Sequence, residues 1–231
     1  MHLILLIIGI VLLAGLVYWP SYWVNRVMQK YHSPKDLFPG TGGELAAHLL
    51  QQLKIDNVAV EETLPGQDHY DPIERAVRLS PDNYHGKSLT AITVAAHEVG
   101  HAMQHAADYP LFRARHSLVN VSRVTEKLGS AAILAMPVAA AITRSPAVGG
   151  LIFLLGISGI FLGTLVHLVT LPVEWNASFG RALPLLVEKQ YISGRQSRHA
   201  RRILKAAAFT YVAGSLASML NLYRWIAILR R

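Results

Sequence analysis

Apolar residues gather along this chain in four long runs separated by mixed segments. Leu3 to Trp19 carries no charge and is long enough, at about 1.5 Å per residue, to cross a hydrocarbon core, with Trp19, Tyr22 and Trp23 at its end. It lacks the basic start and the small-x-small site of a cleaved signal peptide. Leu128 to Thr143 and Ala147 to Pro172 are separated only by Arg144, Ser145 and Pro146, which predicts a helical hairpin. A last run, Ala206 to Tyr223, is softened by Thr210, Ser215, Ser218 and Asn221.

The mixed segment 20–127 shows other periods. Thr41-Gly42-Gly43-Glu44 reads as a capping box, with Leu45, Leu49, Leu50 and Leu53 at helical spacing behind it. Val58 and Val60, then Val77 and Leu79, alternate with polar residues on either side of Leu64-Pro65-Gly66, which predicts two short strands. Ser88 is placed to cap a helix running through Ala91, Val94, Ala95 and Val99 to about Ala107, where Pro110 forbids continuation.

Composition sharpens this picture. The 231 residues are 52% hydrophobic and 16% charged, with a mean hydropathy of +0.31, values that exclude a disordered chain and favour a bilayer. Of the 22 Lys and Arg residues, 18 fall within 20–127 and 173–205, so the positive-inside rule puts both segments on the cytoplasmic face. The basic stripe Arg195 to Lys205, beside an apolar run, reads as a topology anchor rather than a nucleic-acid site. The expected fold class is a mainly α membrane protein. Transmembrane helices lie at 3–19, 128–172 as a hairpin and 206–223, the last spanning or interfacial. A small α+β zincin-like domain occupies 20–127, and 173–205 is a cytoplasmic helix with a basic segment. The chain has no cysteine, so any metal is held by His and carboxylates.

The chemistry sits on the helix after Ser88. His97-Glu98-Val99-Gly100-His101 fits H-E-x-x-H, in which residues i and i+4 share a helix face and two imidazoles meet one zinc ion. Glu98 is then placed to act as general base on a zinc-activated water. A catalytic zinc needs a third protein ligand. The metzincin extension fails, since Gln104 stands in place of glycine and Ala107 in place of histidine. Glu126, beside Arg123 and Lys127, and Glu174, just after Pro172 in what reads as the first turn of a helix, both remain as candidates. His105, one turn beyond His101, and His69 and Tyr70, in a polar cluster with Asp71, are candidates for orienting substrate or a ligand histidine. The strand near Val77 to Ser80 is expected to offer an edge to an extended substrate. His167 lies within an apolar run, where packing is the plainer reading.

Taken together, Asp68-His69-Tyr70-Asp71-Pro72, Val77-Arg78-Leu79-Ser80, Tyr84-His85-Gly86, Val94 to Ala102 and Leu171-Pro172-Val173-Glu174 with Ala177-Ser178 resemble the YugP-like neutral zinc metallopeptidases of bacterial membranes. The resemblance covers most of the chain. It implies an integral inner-membrane peptidase with its active site facing the cytoplasm, a Zn²⁺ cofactor, His97, His101 and Glu174 as ligands, Glu98 as catalytic base, and protein or peptide substrates. Asn176 stands where that family is expected to carry Asp, and Ser178 where the wider gluzincin group ends its E-x-x-A-D. A noncatalytic zinc-binding membrane adaptor is the alternative, and a fourth protein ligand from His105 or Glu126 would favour it.

Overall fold

The computed structural model describes residues 15, 19–20, 22–143 and 145–229, and some helical side chains within that range, among them Glu126 and His167, lie outside the description. The chain divides into two compact units, 1–112 with 172–210, and 113–171 with 211–231.

The first unit is built around one buried helix. Its elements in order are α1 (22–30), α2 (Gly42–Gln52), β1 (Ala59–Glu62), β2 (His69–Asp71), β3 (Ala76–Leu79), α3 (Pro81–Tyr84) and α4 (Leu89–Ala106). After the second unit the chain returns at the end of α6 (Pro146–Trp175), a π-helical turn (Asn176–Ala182), α7 (Leu183–Glu188) and the first part of α8 (Gly194–Leu229). The local signals act as read. Thr41 Oγ1 accepts from the Glu44 amide, Glu44 Oε2 accepts from the Thr41 amide, and Ser88 Oγ accepts from the Ala91 amide to start α4.

Helix α4 is buried on nearly every side, from Leu89 through Ala102 and again at Gln104, with Val94 the main exception. Such a helix needs small residues where others cross it. Gly42 of α2 meets α3 and α4 backbone to backbone, since a Cβ there would lie 2.2 Å from the Asn83 carbonyl oxygen of α3 and 3.0 Å from that of Ala91 in α4. Leu49, Leu79, Leu186, Ile203 and Leu204 close the core around α4, each fully buried and each contributing on the order of 1.5–3 kcal/mol by leaving water.

The sheet has strand order β1-β3-β2, with β1 parallel and β2 antiparallel to β3. Val77 and Leu79 turn inward, while Arg78 points out to ion pairs with Glu61, Asp71 and Glu74. The two predicted strands are β1 and β3, and they pair in parallel. The third strand, His69–Asp71, was not anticipated: three residues with two polar side chains give too short an alternation to register. Because β3 lies in the middle, Val77 to Leu79 offers no edge, and the edges are β1 and β2.

The second unit takes in residues 113–143 of α5 (Pro110–Thr143), most of α6 and the later part of α8. Helix α5 ends at Thr143 and α6 begins at Pro146, a break where the sequence places Arg144-Ser145-Pro146, with Arg144 itself outside the described residues.

The membrane fold class is corrected. Among the described residues no helix is long and apolar enough to cross a membrane, and the run 3–19, apart from residues 15 and 19, lies outside them. Runs 128–143, 147–172 and 206–223 are not separate elements. They are portions of longer helices that also carry Arg113, Arg115, Arg123 and Lys127 on α5, buried Glu174 on α6, and Arg195 through Lys205 on α8. Apolar length in a sequence does not by itself fix what surrounds a segment, and Leu128, Val138, Ile142, Leu151, Leu154 and Phe161 within these runs are exposed.

Candidate metal centre

Helical spacing puts His97 and His101 on one face of α4, their rings 4.7 Å apart between centroids and 76° from parallel. Glu174 approaches from the last turn of α6. Its Oε2 lies 3.1 Å from His97 Nε2 and 3.3 Å from His101 Nε2. All three residues are buried, and their ligand atoms lie within 4.8 Å of one another, so the group is placed to bind a metal ion.

The sequence placed Glu174 in the first turn of a helix opened by Pro172. In fact Pro172 lies inside α6, and helical backbone continues through Asn176–Ala182 and Leu183–Glu188. No helix start lies at Glu174 to explain a carboxylate there. Burial pushes its carboxyl upward, but the adjacent His101 and His97 imidazoles outweigh this and hold it well below the ordinary carboxylate range. The π-helical turn that follows is an irregularity of a kind that recurs at functional sites.

The approach of the two helices depends on Gly100, between the two histidines. A Cβ there would lie 2.7 Å from the Ala177 carbonyl oxygen, so only glycine lets the π-helical turn come this close to α4.

Each imidazole is held from behind. Ser178 Oγ and His97 Nδ1 are hydrogen-bonded at 3.1 Å, and Gln104 Oε1 lies 3.0 Å from His101 Nδ1. The Gln104 contacts fix a proton. Gln104 Nε2 donates to the Val173 carbonyl at 2.8 Å and to Asn176 Oδ1 at 3.0 Å. A carbonyl only accepts, so the amino end of Gln104 faces Val173 and its oxygen faces His101. His101 Nδ1 must then donate, which leaves Nε2 as the nitrogen that faces Glu174. Asn176 Oδ1 also accepts from Arg181 Nε at 3.1 Å, which extends the chain one residue further.

Two imidazole nitrogens and one carboxylate oxygen, buried together and oriented from outside, form a donor set that fits zinc with three protein ligands and an open fourth position. A family model described as "Putative neutral zinc metallopeptidase" matches residues 4–230. The chain belongs to that family. The "Putative membrane protease YugP" of Bacillus subtilis (strain 168) is 36% identical to it over 223 residues, 93% of this chain and 92% of the relative. No solved structure matches the chain. Zinc is therefore the cofactor of the family, and this chain's His97, His101 and Glu174 are grouped to hold such an ion.

The other sequence-predicted residues divide. Glu98 is buried beside His97 on α4. Tyr70 Oη and His105 Nδ1 are hydrogen-bonded at 2.8 Å, joining edge strand β2 to the end of α4. Phe112 packs its ring against Tyr70, His101 and His105. Burial is the main cause that raises the Tyr70 hydroxyl above its ordinary value. His69 bonds the Gln67 carbonyl of its own turn at 2.7 Å. The role of Gln104 was missed. The available signal was its spacing, three residues after His101 on the same helix face.

Proposed function

We propose that this chain is a zinc-dependent endopeptidase whose catalytic base is Glu98 and whose metal ligands are His97, His101 and Glu174. The observation that carries the reading is the buried three-donor group on a helix that also presents Glu98 next to the first ligand. A zinc ion held there supplies Lewis-acid polarisation of a water molecule and of the scissile carbonyl. The chain's own residues do the rest. Glu98 takes the proton of the attacking water on a carboxylate oxygen and passes it to the nitrogen of the leaving amine. Gln104 and Ser178 keep the two imidazoles oriented while the charge around them changes.

The noncatalytic alternative needs a fourth protein ligand. Among the described residues the metal group has three members, and the Nδ1 atom of His105 is engaged with Tyr70, which supports hydrolysis over a closed structural site.

The substrate in this reading is a polypeptide. The name of the Bacillus relative attaches a membrane to that protein, and we extend membrane association to this chain.

The test is purified protein assayed for zinc content and for cleavage of an unstructured polypeptide such as casein. Wild type is expected to bind one zinc and cleave, while Glu98→Gln keeps the zinc and loses activity by at least about a hundredfold. Undiminished cleavage by that variant removes Glu98 from the mechanism.

A further inference from the structure

Helices α1 and α8 lie side by side and antiparallel in the first unit. Trp23 packs edge-on against Phe209, with ring centroids 5.7 Å apart, and Tyr31 stacks on His199 at 4.8 Å, so ascending numbers on one helix meet descending numbers on the other. Val24, Val27 and Tyr31 face inward from α1, as do Ala200, Ile203 and Leu204 from α8. The outward faces have a different composition.

On α8 the exposed residues Arg195, Arg198, Arg202, Lys205 and Phe209 fall, at about 100° per residue, within an arc of about 80°. On the stretch leading through α1, Trp19, Trp23, Arg26 and Lys30 share one face in the same way. The antiparallel pairing brings like to like. Arg26 and Lys30 come abreast of the stretch that holds Arg201, Arg202 and Lys205, and Trp19, Tyr22 and Trp23 come abreast of Phe209. Trp19 stacks on Trp23 at 6.0 Å, and both Trp19 and Tyr22 are 61% exposed.

The surface is thus layered, with a band of cations at one level and exposed aromatic rings at the next. No ion pair among the described residues involves any of these cations. Arg201 lies over the Phe179 ring at 5.7 Å, and Phe179 packs against half-exposed Trp175, the residue after Glu174, so the cationic and aromatic surface continues to the helix that completes the metal group.

We infer that this face docks on an anionic phospholipid surface, the Arg and Lys band against the phosphates and the Trp, Tyr and Phe layer at the boundary with the acyl chains. The order of the two layers argues for lipid over a soluble polyanion. Nucleic acid or an acidic protein would be met by cations with aromatic groups interleaved, whereas a bilayer boundary presents charge and apolar depth in succession. The inference rests on the proposed membrane association and names its surface; it does not depend on the peptidase chemistry.

The experiment measures partition of the full chain onto vesicles of phosphatidylcholine alone and of phosphatidylcholine with phosphatidylglycerol, at low and high salt. Binding is expected to be at least about tenfold stronger with phosphatidylglycerol and to weaken with salt. The combined variant Arg198→Glu, Arg202→Glu, Lys205→Glu is expected to lose that gain while retaining zinc, and the milder pair Arg202→Gln, Lys205→Gln to lose part of it, which separates lost contact from lost folding. Equal binding to both vesicle types overturns the surface and leaves membrane association standing. No binding to either overturns both. Tighter capture by RNA than by anionic vesicles, lost in the same variants, also overturns the assignment to lipid.

Discussion

Gln104 Oε1 accepts the Nδ1 proton of His101 at 3.0 Å, and that one bond leaves Nε2 as the nitrogen that faces Glu174. Gln104 is fully buried, and each of its polar atoms is bonded. The chain therefore orients His101 with a neutral amide and His97 with the Ser178 hydroxyl.

Gln104→Leu is expected to weaken zinc binding by about 10–100-fold. It also strands the buried Nδ1 donor of His101, which costs about 1–3 kcal/mol, while Asn176 Oδ1 keeps its bond from Arg181 Nε. Zinc affinity by chelator competition, with thermal unfolding alongside, checks both. Unchanged affinity in a folded variant would show that His101 is oriented by other contacts.

Gly100→Ala tests the helix approach. In an ordinary helix interior the change stabilises by about 0.5–1 kcal/mol. Here the new methyl lies 2.7 Å from the Ala177 carbonyl oxygen, so the expected effect has the opposite sign, a loss of about 1–3 kcal/mol with weaker zinc binding. A variant as stable as wild type would mean that the π-helical turn can move away freely.

Removal of metal should lower stability, because the ligands from α4 and α6 come together only in the folded chain. At zinc a hundredfold above its dissociation constant the gain is about 2.7 kcal/mol, equivalent to a melting shift of about 5–10 °C on chelation. His97→Ala should melt at the same temperature with and without chelator. A shift that persists in that variant points to metal held elsewhere.

Asp71 gives a pH dependence away from the metal group. Burial pushes its carboxyl up, but the amides of Glu74 and Ile73 and the Arg78 guanidinium outweigh this and hold it below its ordinary value. A carboxyl depressed by folding stabilises above its unfolded pKa, near 3.8, and loses that contribution as pH falls through the lower folded value. Wild type should therefore lose stability more steeply than Asp71→Asn below about pH 4. Parallel denaturation curves for the two proteins across that range would contradict it.

Local order was legible in the sequence where a short-range cause sets it. Thr41 and Ser88 cap their helices because a hydroxyl reaches an amide three residues on, whatever the rest of the chain does. The same holds for His97 and His101, which helical geometry alone brings to one face. The apolar runs misled because hydrophobicity alone does not fix what surrounds a segment, and the helices containing those runs also carry charged turns. His69–Asp71 was invisible as a strand because its pairing with β3 supplies what its own pattern lacks.

The sequence by itself determined the pairing of His97 and His101 on one helix face, with Glu98 beside them, since each position follows from spacing within a few residues. Which carboxylate completes the group was decided by tertiary structure. Glu174 comes from 77 residues beyond His97, and only the packing of α6 and its π-helical turn against Gly100 brings it in. The proton on His101 was decided there too, because it depends on a carbonyl at Val173 that no local pattern records.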